Sequence, residues 1–301
     1  FTYMLSILIP TYNYNVFLLV KELLDQASKL NIDFEIICLD DGSKVTFVEN
    51  EAINELKNCS FSTNEVNLGR ASNLNKLVDK AKFNYCLLLE ADAFPTNENY
   101  IKNYIAIIKD GIKVAFGGVI YSNKKPKANS LLRWIYGHKR ESKSLDFRKK
   151  NPYNIVFSWN LLISKEVFQR FPFDASIKNY GFEDFIFLKE LKENAIPIHQ
   201  IDNNCIHQNE ETSIEFLKKY NYSLKNLKKL IDSNQLKYED TSLSALYLKI
   251  KKLHLDVLVA FTFKISKNLI VKNLTSKYCS LLLFDFYKLG YFCLLNQKQH
   301  V

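Results

Sequence analysis

Leu87-Leu88-Leu89-Glu90-Ala91-Asp92-Ala93-Phe94-Pro95 decides how the rest of the chain is read. The apolar run from Tyr85 to Leu89 has the continuous hydrophobicity of a strand covered on both faces, as at the centre of a parallel sheet. It ends abruptly in two carboxylates spaced i, i+2, and Pro95 closes the turn. Alternate residues of an extended chain share a side, so Glu90 and Asp92 can converge on one ligand. Ligands of open α/β sheets bind at the carboxyl ends of strands. Two hard oxygen donors at such an end suit Mn²⁺ or Mg²⁺ carrying a diphosphate.

The flanking sequence repeats this pattern. Leu5–Ile9 reads as a strand broken by Pro10-Thr11-Tyr12-Asn13, and Val16–Leu30 as an amphipathic helix. Phe34–Leu39 is a second strand ending in Asp40-Asp41-Gly42-Ser43, followed by a helix around Thr46–Leu56 and a weak strand near Ser60–Thr63. Asn67-Leu68-Gly69-Arg70 opens a helix that carries Asn75 and runs to about Lys82. After Asp92 come a helix over Asn99–Lys109 and a strand over Lys113–Ile120. Strands alternating with helices of this length predict a mostly parallel, doubly wound α/β sheet flanked by helices. Each strand ends in polar residues that would line one edge.

Four of these stretches, Ile9–Asn13, Asp40–Ser43, Asn67–Arg70 and Leu89–Asp92, resemble in order and spacing the successive motifs of the family-two inverting glycosyltransferases. The resemblance covers roughly the first 120 residues. It implies a GT-A fold, a Rossmann-like nucleotide-binding sheet that uses a nucleoside-diphosphate sugar, most often a UDP-sugar, with Mn²⁺ or Mg²⁺. By it, Pro10, Thr11, Tyr12, Asp40, Asp41, Arg70, Asn75 and Glu90 would form the nucleotide-sugar site. Asp92 would ligate the metal, as would His207 after the last core strand. The first acid of the D-x-D position is Glu here, and Ala93 stands where many members carry another Asp. Gly181-Phe182-Glu183-Asp184, opening a helix to Asn194, resembles the acceptor-side motif in which Asp184 would be the general base. Trp159, Asn160 and Glu183 would line the acceptor site. Inversion in one displacement needs such a carboxylate to take the proton of the attacking hydroxyl. Taken singly, Asp-Asp-Gly-Ser is also an ordinary turn, and an acidic pair at a helix start also serves the helix dipole.

Beyond the motifs, Tyr121–Lys150 carries 10 Lys/Arg against 2 acids and little periodicity. It reads as a long loop: an active-site lid, a membrane-touching segment or a solvated surface. Ile155–Ile163 reads as a strand, Lys165–Arg170 as a short helix, and Ile196–Gln200 and Asn203–His207 as short strands. The catalytic domain is expected over 1–210. A basic, amphipathic helical appendage is expected over 211–301, helical from Glu210 onward. Ile214–Ile231 is one helix of it, Leu243–Leu269 a long apolar repeat at helical spacing, and Ser280–Leu295 another apolar stretch. Leu243–Val301 is net +7 and the body outside these basic parts net −6. The appendage could meet an anionic membrane surface, pack on the domain or dimerise.

The six cysteines show no metal-type spacing, and Cys38 and Cys86, inside apolar strand patterns, read as buried free thiols of a reducing compartment. The thiols point to the cytoplasm, the basic appendage to a peripheral place on the inner face of the plasma membrane, and the resemblance implies a glycan or lipid-linked acceptor. A nucleotidyltransferase would want a Gly- and Lys/Arg-rich first loop, which Pro10–Asn13 does not supply. A nucleic-acid-binding protein is the reading from another class, but no RNP-type or helix-turn-helix pattern appears, so no nucleic acid is expected.

Overall fold

Burial makes the middle of the sheet. In the computed structural model, which describes residues 2–154, 156–177, 180–208 and 211–297, strand β1 (Tyr3–Thr11) is buried from Leu5 to its end. It lies between β2 (Ile32–Asp40) and the later strand β4 (Tyr85–Leu89), parallel to both. Leu5, Ile7, Leu8 and Ile9 are fully enclosed, and each such side chain contributes roughly 1.5–3 kcal/mol. Around them the order is α1 (Phe17–Ser28), α2 (Val48–Glu51) with a 3₁₀ turn Ala52–Glu55, β3 (Cys59–Thr63) and α3 (Arg70–Lys80). After β4 come β5 (Ala93–Pro95), α4 (Tyr100–Lys109), β6 (Val114–Phe116) and β7 (Val119–Tyr121). Next follow α5 (Leu131–Tyr136), α6 (Leu145–Lys150), β8 (Asn160–Ser164), α7 (Lys165–Arg170), α8 (Glu183–Glu193), β9 (His199–Gln200) and β10 (Cys205–His207).

The main sheet runs β3-β2-β1-β4-β8-β6-β9. It is mostly parallel, as expected, but β8 is antiparallel to both β4 and β6. Asn160–Ser164 is buried throughout, so its composition carries no mark of direction. The strand expected over Lys113–Ile120 is split. Gly118 takes φ +90°, and a Cβ there would stand 2.6 Å from Arg148 Nη2. Only glycine lets the chain step at that point from the large sheet to a small one, β5-β10-β7. That small sheet carries the residues after Asp92 and those ending in His207.

Tyr121–Lys150 is not a loop. It holds a 3₁₀ turn (Ala128–Ser130), α5, a π turn (Gly137–Glu141) and α6. Six-residue helices are too short to show a 3.6-residue period. Nor is the segment all solvated. Arg148 is 2% exposed, lies over the Phe116 ring, and donates to Gln200 Oε1 at 2.9 Å and Ile201 O at 3.0 Å. The expected strand Ile155–Ile163 begins only at Asn160, with Ile155 itself outside the described residues.

Two compact units emerge. One comprises Phe1–Ser122, Arg140–Lys178 and Glu183–Asn209, the other Asn123–Lys139, Asn179–Phe182 and Glu210–Val301. The expected boundary at 210 and the helical start at Glu210 lie outside the described residues. The second unit contains α9 (Ser213–Asp232), α10 (Ser242–Lys252), α11 (Asp256–Leu274) and α12 (Leu281–Gln297). The apolar repeat Leu243–Leu269 is thus two helices rather than one, broken at His254, which takes φ 55°. Helix α9 opens on a capping box: Thr212 Oγ1 accepts from Glu215 N at 3.2 Å, and Glu215 Oε2 accepts from Thr212 N at 3.1 Å. No helix among the described residues is long and apolar enough to cross a membrane.

Candidate active site

The carboxyl edge of the main sheet gathers the motif residues. β1 ends at Thr11 and β2 at Asp40, paired in register, and the Asp41 amide donates to Thr11 O at 2.8 Å. Asp40 accepts from Ser43 N at 2.8 Å, which closes the turn after β2. Asn13, at φ 49°, accepts from Lys44 N at 3.0 Å and so ties the first loop to the second. Tyr12 is exposed, whereas Pro10, Thr11, Asp40 and Asp41 are buried. The two aspartates have different work. Asp41 accepts from Leu68 N at 2.8 Å, Gly69 N at 2.9 Å and Asn64 Nδ2 at 3.1 Å. It therefore fixes the turn that launches α3, with Gly69 at φ 86°, and through it the position of Arg70.

Arg70 is the hub of the site. Its Nε donates to Glu90 Oε1 at 2.5 Å, Nη2 to Ser158 Oγ at 2.7 Å, and Nη1 lies 3.2 Å from Asp184 Oδ1 and 3.5 Å from Glu183 Oε1. Ser158 also donates to Asp184 Oδ1. Burial opposes the Arg70 charge, but Glu90, Asp184 and Glu183 together hold it well above the usual arginine value. Burial raises the Glu90 carboxyl above its ordinary range; Arg70 pulls it down and Asp92 adds to the rise. The side chain of Glu183 is 7% exposed and that of Asp184 24%, so Asp184 is the more open acid at the start of α8.

Asp92 and His207 form a second cluster. Asp92 Oδ2 lies 3.4 Å from His207 Nε2. The register of the small sheet sets this, because His207 pairs with Ala93 and the Gln208 amide donates to Asp92 O at 2.9 Å. The rings of Tyr121 and Trp159 stand 5.3 and 5.7 Å from the imidazole. Tyr14 is close as well: burial, then the negative charge of Asp92, raises its phenol above the ordinary value. A cleft of about 670 Å³ runs along the start of α1, lined by Tyr14, Leu18, Glu22, Ala91, Phe94 and Gln208 among others; Asp92 and His207 do not line it.

Asp92 and His207 could hold a divalent cation, since one carboxylate oxygen and one ring nitrogen at this separation can share an ion. Among the described residues no group of three or more His, Cys, Asp or Glu forms a complete cage. A cation there would fill its shell with substrate oxygens and water, as such ions do when they carry phosphates.

Two expected site residues have other employment. Asn160 is fully buried: it accepts from Tyr100 Oη and Tyr104 Oη, both at 2.7 Å, and donates to Gly118 O at 2.6 Å and Asn203 O at 2.9 Å. All four hydrogen-bonding positions of the amide are engaged inside the core. Asn75 pairs with the backbone of Phe173 at 2.8 and 3.0 Å, which braces α3. Trp159 is 8% exposed, packed beside His207 and Phe157. Ser158, Tyr14 and Gln208 were not expected at the site. A serine, a tyrosine and a glutamine in irregular segments carry no signal until the fold brings them beside carboxylates.

Comparison with known proteins identifies the family. Residues 6–171 match the family model described as glycosyl transferase family 2. A Haemophilus influenzae protein described as an uncharacterized glycosyltransferase is 24% identical over 205 residues, 65% of this chain and 76% of its own length. Mannosyl-3-phosphoglycerate synthase from Rubrobacter xylanophilus superposes with a TM-score of 0.53 at 14% identity, over 78% of this chain and 76% of that one. Residues 1–349 of S. aureus TarS, solved in complex with UDP-GlcNAc, give 0.50 at 17% identity, over 98% and 92% of the two chains. The chain spans about half, 54%, of a longer TarS chain. With its motifs gathered on one sheet edge and more than half its length matched, the chain belongs to glycosyl transferase family 2.

Proposed function

We propose that the protein transfers a sugar from a nucleoside-diphosphate sugar, of the UDP-sugar class, to a hydroxyl of a glycan or lipid-linked acceptor, with inversion. One observation carries this reading: Arg70 joins Glu90 of the donor edge to Asp184 at the start of α8, beside the Asp92–His207 pair. Asp184 takes the proton of the acceptor hydroxyl. The oxygen attacks the anomeric carbon from the face opposite the diphosphate, the new C–O bond forms, and the nucleoside diphosphate leaves with the electrons of the old one. Ser158 and Arg70 hold Asp184 in place for that proton. Thr11, Asp40 and the exposed Tyr12 stand at the strand ends where the nucleoside would lie, and Glu183 beside the acceptor.

Asp92 and His207 would hold Mn²⁺ or Mg²⁺, and the imidazole donor favours Mn²⁺ over the oxygen-seeking Mg²⁺. A divalent cation supplies charge neutralisation on the leaving diphosphate. The test is a panel of UDP-, GDP- and dTDP-sugars, read by release of nucleoside diphosphate with and without Mn²⁺. Metal-supported release from a UDP-sugar is expected. Absence of release and of thermal stabilisation with every donor overturns the reading.

A further inference from the structure

Helix α11 has two apolar faces, and among the described residues only one of them is covered. Ala260, Phe263, Ile270 and Leu274 are buried, with Gly290 of α12 set against Phe263. The other face carries Val257 (62% exposed), Leu258 (59%), Phe261 (60%), Ile265 (66%) and Leu269 (72%). At 100° per residue these five fall within an arc of about 120°. Leu253 and Leu255, in the turn before the helix, are exposed too. An apolar stripe of this length on a soluble surface marks an interaction site.

The charges around the stripe say what covers it. Ser242–Leu274 holds six lysines, Lys249, Lys251, Lys252, Lys264, Lys267 and Lys272, against one acid, Asp256. All six lysines are exposed. A second copy docked through this face would bring lysines against lysines. A nucleic acid would satisfy the lysines and leave the stripe in water. An anionic bilayer satisfies both, because acyl chains take the stripe while lysine stems lie along it and lift their ammonium groups to the headgroups. The helix is 19 residues long with three lysines of its own, and does not qualify as a membrane span. It suits the plane of the interface instead.

We propose that the outward face of α11 docks the protein on an anionic lipid surface, with Phe261 and Ile265 at the centre of the contact and the lysines of α10 and α11 on the headgroups. The proposal concerns adsorption alone and stands apart from sugar transfer. The test is flotation of the full chain with equimolar phosphatidylglycerol–phosphatidylcholine vesicles and with phosphatidylcholine alone, beside sedimentation velocity without lipid. Wild-type protein is expected to float with the anionic vesicles and not with the neutral ones. The binding should weaken between 0.1 and 1 M salt, as the screening length falls from about 10 Å to about 3 Å. Phe261→Glu and Ile265→Glu should each cut it about tenfold or more, and Lys264→Gln with Lys267→Gln about fivefold per charge at low salt. These side chains are exposed, so the thermal midpoint should not move, and that measurement guards against misfolding. Equal flotation with neutral vesicles, or variants that float as wild type does, overturns the proposal. So does a lipid-free dimer that Phe261→Glu dissolves while vesicles capture nothing, which would assign the face to a second copy.

Discussion

Asp184 Oδ1 lies 3.2 Å from Arg70 Nη1, so the more open acid at the start of α8 faces the guanidinium that also holds Glu90 at the end of β4. If this acid is the base, Asp184→Asn keeps the hydrogen bonds to Ser158 and Arg70 in kind but removes basicity. Transfer should fall on the order of 10²–10⁴-fold, while calorimetry with the donor nucleotide stays near wild type. Glu183→Gln, at a nearly enclosed position, should change acceptor KM more than kcat. Normal turnover by Asp184→Asn would move the base elsewhere.

Arg70 is also structural. Arg70→Gln leaves Glu90, Glu183 and Asp184 grouped without their cation. Breaking such an ion cluster costs about 3 kcal/mol at neutral pH, measurable by urea denaturation. The sign with pH follows from Glu90, whose folded carboxyl titrates above its ordinary value. Between that ordinary value, about 4.3, and the raised one, the native state holds a proton that the unfolded chain has released. Stability therefore falls as pH rises through the window. Arg70 limits the rise, so in Arg70→Gln the window should extend upward and the deficit should grow from about pH 4 toward neutrality. A deficit independent of pH would mean that the carboxylates do not sense Arg70.

These two residues also show what was legible in the sequence. Arg70, Glu90 and Asp92 sit at strand and helix ends that apolar runs and a glycine announce, and there the expected edge formed. Its partners were hidden where no period exists. Ser158 lies in an irregular approach to β8, and Arg148 looked like one more solvated cation of a basic segment. The direction of β8 was equally hidden, because a strand buried on both faces reads the same either way. The break at His254 lacks the glycine or proline that marks most interruptions.

Asn160 separates a structural role from an acceptor role. Asn160→Ala would leave Tyr100 Oη and the carbonyls of Gly118 and Asn203 without the amide they now bond. Unsatisfied buried groups cost about 1–3 kcal/mol each, so a loss of about 3–5 kcal/mol is expected in chemical denaturation. Unchanged stability with a raised acceptor KM would return the side chain to the acceptor wall.

Asp92 and His207 should behave as a unit. If they share one cation, Asp92→Ala and His207→Ala each remove metal-supported UDP binding, by at least about 100-fold, the upper end of what an outer-shell partner costs. The double substitution should then add little, because residues in contact are not additive. Titration calorimetry with UDP and Mn²⁺ measures this. Fully additive losses would show that the two side chains act on different ligands.

The last prediction concerns the crossing of α11 and α12, where Gly290 meets Phe263. A Cβ at position 290 would stand 2.5 Å from both Cβ and Cγ of Phe263. Those atoms lie next to the backbone and cannot swing aside as the tip of a long side chain would. Phe263 is itself fully buried, with Tyr287 edge-on at 5.3 Å, so the ring has nowhere to retreat. Two effects compete in Gly290→Ala. Alanine favours the helix by about 1 kcal/mol over glycine, whereas overpacking a filled contact costs typically 1–3 kcal/mol. The close approach should prevail, giving a net loss of about 1–2 kcal/mol and a lower thermal midpoint. Adding Phe263→Ala removes Cγ and the ring but keeps the Cβ at 2.5 Å, so the alanine at 290 should cost less than it does in wild type without becoming favourable. A Gly290→Ala protein more stable than wild type would mean that the two helices have room to part, and that the glycine is there for some reason other than their spacing.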